Sequence, residues 1–206
     1  MKLALAVLAL LLLAACTPQQ PVVTNTTLAF KGLCKDIPGC QGLNVSDAEY
    51  CCYSSAQIYQ NPEMCEDTGS LKDICYVDIA IKSGLPTLCQ AGGQYKERCY
   101  LRLATKMVDS SLCGKAPLAD QENCYSAVSV MGNDISGCAK SGSFKDACYH
   151  GVGIKQNNIT ICEQAGQFRN TCISTIAKQT SNSSLCGRLT ALRSSCFEFF
   201  NLSDRI

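Results

Sequence analysis

The chain has 206 residues, 17 of them cysteine, with 18 Lys+Arg against 17 Asp+Glu, one His and no Trp. A formal charge of +1 excludes the strongly basic footprint of a non-specific nucleic-acid binder, and a single His argues against histidine-based catalysis and most zinc enzymes. The cysteine content lies close to the disulfide-scaffold range and fits an exported chain, unless metal or redox chemistry accounts for it.

Residues 1–15 read MKLALAVLALLLLAA: one Lys, then an unbroken apolar run from Leu3 to Leu13. Eleven apolar residues are too few to cross a hydrocarbon core of about 30 Å as a stable helix, so the segment reads as a signal peptide. Leu13-Ala14-Ala15-Cys16 resembles the prokaryotic lipobox. That resemblance implies that Cys16 receives a lipid on its sulfur and begins the mature chain. The alternative is an ordinary secretory peptide with a chance Cys. Residues 16–30 carry Pro, Gln, Thr and Asn without helical periodicity and read as a lipidated Cys followed by a flexible tether of roughly 20 Å.

From there to residue 206 the chain reads as one cysteine-rich repeat domain, starting at residue 31. The pairs Cys40/Cys51, Cys65/Cys75, Cys89/Cys99, Cys113/Cys124, Cys138/Cys148, Cys162/Cys172 and Cys186/Cys196 recur about every 24 residues, giving seven units. Self-similarity at this period signals stacked supersecondary units.

Within the units, Asn61, Asp109, Asp134, Asn158 and Asn182 stand four residues before the first Cys, where a helix N-cap belongs, with Leu85 the exception. Pro62 and Pro86 follow at the first helical position. Gly69, Gly93, Gly142 and Gly166, with Pro117 and Thr190 in the other units, then predict the end of a short helix A after about two turns. A longer helix B runs through the second Cys for about three turns, with Ser70 or Ser143 as cap in two units. One and four residues after the second Cys come Tyr76/Ile79, Tyr100/Leu103, Tyr125/Val128, Tyr149/Val152, Ile173/Ile176 and Phe197/Phe200. These share one helix face. The position five after the second Cys holds Ala80, Ala104, Ser129, Gly153, Ala177 and Asn201, so another backbone is expected to approach there.

The glycine break lies four residues after one Cys and six before the other, so a hairpin brings the pair level to within about 3 Å. Pairing across units would leave them about 9 Å out of step. The expectation is seven bridges within hairpins, with Cys34 and Cys52 closing an N-terminal cap. Each loop of about eleven residues is worth roughly 3 kcal/mol in the chain-entropy model, and helices this short need such support. The expected fold is all-α: disulfide-stapled helical-hairpin repeats stacked as a short α-solenoid.

Over residues 40–200 this plan resembles secreted, cysteine-stapled relatives of the tetratricopeptide-type helix-pair repeats. The likeness is one of architecture only. A unit of 24 residues is shorter than that family's 34, its Trp/Leu/Gly/Tyr signature is absent, and no functional residue carries over.

No zinc-ribbon or thioredoxin spacing, G-x-S-x-G, phosphate loop or H-E-x-x-H occurs. The expectation is therefore no enzyme, no cofactor, no metal and no nucleic-acid partner. The vicinal Cys51-Cys52 is read as two bridge cysteines in preference to a reactive or soft-metal site, and His150, at a variable position, as surface. Lys72, Lys96, Lys145, Arg169 and Arg193 stand three residues before the second Cys, with Gln121 in unit 4. Cations in a first helical turn oppose the dipole. The row is expected either to pair locally, with Asp73, Glu97 and Asp146 or with the closing carbonyls of a neighbouring helix A, or to form a basic stripe that grips an acidic partner. The tyrosines one residue after the second Cys are read as core packing. Of five Asn-x-Ser/Thr sequons, those at Asn158 and Asn182 coincide with helix caps. Together these features describe a lipid-anchored protein on the outer face of a prokaryotic membrane, held through Cys16 and offering its repeat surface to a protein or polymer. An extracytoplasmic thiol protein is the alternative.

Overall fold

The computed structural model describes residues 32–202. The signal segment, Cys16 and the tether lie outside the described residues. Two 3₁₀ turns, Leu33–Asp36 and Pro38–Cys40, lead into the first long helix. The α-helices are α1 (Val45–Tyr59), α2 (Lys72–Ser83), α3 (Lys96–Met107), α4 (Gln121–Gly132), α5 (Lys145–Lys155), the single turn α6 (Ile159–Cys162), α7 (Arg169–Gln179) and α8 (Arg193–Phe199). No strand occurs among the described residues, and the repeated units stack as an all-α solenoid.

Helix A has the expected place and two-turn length but a different winding. It is a six-residue 3₁₀ helix at Pro62–Asp67, Pro86–Ala91, Ser110–Lys115, Ile135–Lys140 and Ser183–Arg188, and α-helical only at α6. In so short a run, i→i+3 closure forms one more hydrogen bond than i→i+4 closure. Asn61, Asp109, Asp134 and Asn182 accept from the N–H two residues on, as Asn158 does at α6, so the cap serves either winding. Asn44 caps α1 by accepting from the N–H three residues on, that of Asp47.

Helix B begins without the expected serine cap. A further 3₁₀ turn (Gly69–Leu71, Gly93–Tyr95, Leu118–Asp120, Gly142–Phe144 or Gly166–Phe168) intervenes, and α2 and α5 start at Lys72 and Lys145 with no side-chain cap. Ser70 and Ser143 turn instead toward carboxylates of the preceding unit. Each helix B from α1 to α7, α6 apart, is followed by a left-handed residue: Gln60, Gly84, Val108, Asn133, Asn157 or Ser181. The next N–H bonds back to the carbonyl of the small residue five after the second Cys, as in Leu85 to Ala80 at 3.1 Å and Asp109 to Ala104 at 2.9 Å. This Schellman-type closure delivers the following 3₁₀ helix onto that small residue. A Cβ on Gly153 would stand 3.2 Å from the backbone nitrogen of Cys162, which is the close approach the small residues imply.

Bridges join Cys40–Cys51, Cys65–Cys75, Cys89–Cys99, Cys113–Cys124, Cys138–Cys148, Cys162–Cys172 and Cys186–Cys196 within units, and Cys34–Cys52 at the N-terminal end, with Cα separations of 5.4–5.7 Å. They line the axis of the core with Ile79, Leu103, Val128, Val152, Ile173 and Ile176. Tyr100, Tyr149 and Ile173 are buried in this core and Tyr76 and Tyr125 half-buried, so the residues one after the second Cys pack inward.

His150 is not a surface residue. Its ring is half-buried 5.6 Å from that of Phe168, its Nε2 has no hydrogen-bond partner among the described residues, and burial lowers its pKa from 6.5. The equivalent residues Val77 and Ser174 are buried too, because this position of helix B packs against the following unit.

Candidate functional site

Two kinds of polar clasp fasten units to their neighbours. The first uses the residue two before the second Cys, near the start of helix B. Glu49 accepts from the N–H and hydroxyl of Ser70, at 3.3 and 2.9 Å. Glu122 does the same for Ser143, at 3.0 and 2.9 Å, and these bonds hold its carboxyl below its ordinary value. Asp146 accepts from Gln167 N–H at 3.1 Å, and Asn170 from Thr190 N–H at 3.1 Å. Asp73 lies against Gly93 in the same way. Gly69, Gly93, Gly142 and Gly166 have φ of 47–51°, and a Cβ on any of them would collide with that carboxylate. The glycine thus serves both the left-handed turn and the clasp. These acids do not neutralise the neighbouring cations, as local pairing would have required.

The second clasp uses a Lys seven after the second Cys. Lys82 donates to Gln57 O at 2.7 Å, Lys106 to Ile81 O, and Lys155 to Val130 O at 2.8 Å. Each cation caps the C-terminal carbonyls of the preceding helix B, where the dipole favours it. Aligning the units two before and seven after the second Cys reveals both series in the sequence, since the residue types recur there.

The junction between units 3 and 4 lacks both clasps. Glu97 holds the acid position, but the facing turn, Leu118–Asp120, follows Pro117 in a unit one residue longer than its neighbours and opens without the left-handed glycine, and among the described residues Glu97 accepts no hydrogen bond from it. The lysine position holds Met131. A groove of about 450 Å³ opens here, lined by Gln90, Lys96, Glu97, Tyr100, Gly114, Lys115, Ala116, Leu118 and Gln121. A second groove of about 330 Å³ shares Gln90, Tyr100 and Lys115 with it. Lys115 Nζ stands 5.0 Å from the centroid of the Tyr100 ring, a cation–π distance, and Tyr100 hydroxyl donates to Gln90 Oε1 at 3.3 Å.

The basic row is divided by what stands one residue after the first Cys. In unit 2 that residue is Glu66, which pairs with Lys72 at 2.6 Å and accepts from Tyr76 hydroxyl at 2.6 Å. The bonds from Lys72 first, then Tyr76, lower the Glu66 pKa, while burial and Glu66 push Tyr76 up to about 12. In unit 6 it is Glu163, paired with Arg169 and, at 3.0 Å, with Arg188 from unit 7. Arg169 also donates to Arg188 O at 3.3 Å, the closing carbonyl of the neighbouring helix A. Gln121 likewise reaches the carbonyls of Gly114 and Ala116. In units 3 and 5 the residue is Gln90 or Ala139, and among the described residues Lys96 and Lys145 make no ion pair. Arg193 lies 6.0 Å from the Phe197 ring.

Cys34, Cys52 and Asp67 come within 4.8 Å of one another, and Asp67 accepts from Cys34 N–H at 3.1 Å. The two sulfurs are bonded to each other, so this cluster offers a disulfide and not two thiolates. Cys51 is bonded to Cys40, which gives the vicinal cysteines separate bridges. Comparison with protein-family models, curated proteins and solved structures found no match.

Proposed function

We propose that the chain is an exported, lipid-anchored protein of a prokaryotic cell envelope that acts without catalysis, presenting its repeat surface to a macromolecular partner. The observation that carries this reading is the stapled repeat itself. Eight disulfides in the described residues belong to an oxidising, extracytoplasmic compartment, and they rigidify a long array in which each unit differs chiefly at its surface. Repeat arrays of this kind bind through extended faces. No described helix is long and apolar enough to cross a membrane, so attachment rests on Cys16, whose sulfur the Leu13-Ala14-Ala15 context marks for lipid.

Expression with export in a bacterial host tests this. The expected result is a membrane-fractionating protein whose intact mass shows cleavage before Cys16, an added lipid and sixteen hydrogens lost to eight bridges, with Cys16→Ser released to the soluble exported fraction. An unlipidated protein, or free thiols after denaturing alkylation, overturns the reading.

A further inference from the structure

Units 2 and 6 show what the surface beside the first Cys is built to hold. In unit 6 one carboxylate, Glu163, sits between Arg169 of its own unit and Arg188 of the next. In unit 2 one carboxylate, Glu66, sits between the ammonium of Lys72 and the hydroxyl of Tyr76. Unit 3 combines both sets of partners. Lys96 occupies the place of Lys72 and Arg169, Tyr100 that of Tyr76, and Lys115 of unit 4 that of Arg188. The central position holds neutral Gln90, and the groove opens in front of it. Unit 4 has Gln121 for the first cation and unit 5 meets Gln164 of unit 6 in place of the second, so among units 2–6 the acid is missing while both cations are present in unit 3 alone. Glu97 lines the groove but makes no ion pair with either lysine.

We propose that this groove, formed by Lys96, Tyr100, Lys115 and Gln90 at the unit 3/4 junction, binds an acidic side chain of a partner protein. The ligand's carboxylate takes the place that Glu66 and Glu163 fill in their own units. Leu118, 83 % exposed on the rim, gives the apolar neighbour of that side chain a surface to cover. An apolar rim favours a peptide over a hydrated acidic sugar. Two cations with a tyrosine hydroxyl supply charge-assisted hydrogen bonds to one carboxylate. The inference rests on the partner-binding reading above, but its test is independent of lipidation.

The oxidised, isotope-labelled exported protein would be titrated with the peptide acetyl-Gly-Leu-Glu-Leu-Gly-amide and followed by amide chemical shifts. Saturable shifts at Lys96, Tyr100, Lys115 and Leu118 are expected, weakened by salt and about tenfold weaker for Lys96→Gln or Lys115→Gln. Gln90→Glu places the protein's own carboxylate in the groove. It is expected to abolish the titration while the disulfides and thermal transition are retained. No saturable shifts with the Glu peptide, equal shifts with the Gln analogue, shifts spread evenly to Lys140 and Lys145, or unaltered binding by Gln90→Glu would each overturn the assignment. Equal saturation by glucuronate would move the ligand class to an acidic saccharide and overturn it as well. A failed titration by a protein still lipidated on Cys16 removes this groove and leaves the anchored scaffold standing.

Discussion

The junction between units 4 and 5 and the one between units 3 and 4 are built from the same repeat and differ in how they are closed. At the first, Glu122 clasps Ser143 and Lys155 caps the carbonyls of Val130 and Met131, so the units meet through apolar core and two charged contacts. At the second, Leu103, Leu112 and Val128 still share one core, yet the turn Leu118–Asp120 opens without the left-handed glycine and gives Glu97 no hydrogen bond, and Met131 replaces the capping Lys. Even the turn between the units is less suited: Val108 takes φ of 54°, where the preceding turn has Gly84 and the following one Asn133. Burial of apolar surface is therefore enough to stack two units, and the polar clasps decide whether the seam is sealed or left open.

Breaking a bridge removes a stabilisation that both junctions share and that exceeds any single clasp. Replacing Cys89 and Cys99 together by Ala is expected to cost about 3 kcal/mol, read as a lower midpoint in denaturant. The same change at Cys138 and Cys148 should cost a similar amount, since both bridges close loops of the same separation, 10 residues. A much larger loss at Cys89–Cys99 would show that the open junction depends on its bridge more than the clasped one does.

The clasps themselves give the sharper contrast. Asp146→Ala leaves Gln167 N–H without its acceptor and is expected to destabilise by about 1 kcal/mol, as for a lost N-cap. Glu97→Ala should leave the melting temperature unchanged. For Glu122 the prediction concerns pH. Ser143 N–H and hydroxyl lower its folded pKa below the ordinary 4.5, so its contribution is complete above that value and is lost as pH falls through the lower folded one. Glu122→Gln should therefore lower the melting temperature at neutral pH and reduce the loss on acidification below about pH 4.5. Identical acid profiles for variant and parent would remove Glu122 from the account.

Much of this was legible in the cysteine ladder. The period, the Asn61 and Asp109 caps, the small residues against the following backbone and the pairing within units all follow from spacing, because each depends on local chain geometry. The winding of helix A was not legible, since 3₁₀ and α turns share the same caps and length. Ser70 and Ser143 misled because a Ser before a helix has two good partners, its own N–H groups or a carboxylate reaching over from the previous unit, and only packing chooses. His150 misled for a similar reason: a variable position suits a surface, but also a seam where each unit meets a different neighbour. The groove was half legible. Lys96 belongs to a visible row, while its lack of an acid depends on Gln90, and Lys115 joins it only through the stacking of unit 4 on unit 3.

Two further substitutions attempt to close the open seam. Val108→Asn puts a residue that tolerates the left-handed region where a β-branched side chain stands, and should stabilise by about 1 kcal/mol. Met131→Lys sets an ammonium seven residues after Cys124, the register from which Lys106 and Lys155 reach the carbonyls of the preceding helix. Capping the C-terminal carbonyls of α3 in this way should add about 0.5 kcal/mol at low ionic strength, and the gain should fade with salt as surface charge is screened. The same substitution made in a Val108→Asn background separates two causes of the weak seam. Additive gains mean that turn strain and the missing cap act independently, whereas no gain from Met131→Lys in either background means that the lysine clasps on α3 and α5 follow from the packing and do not hold it.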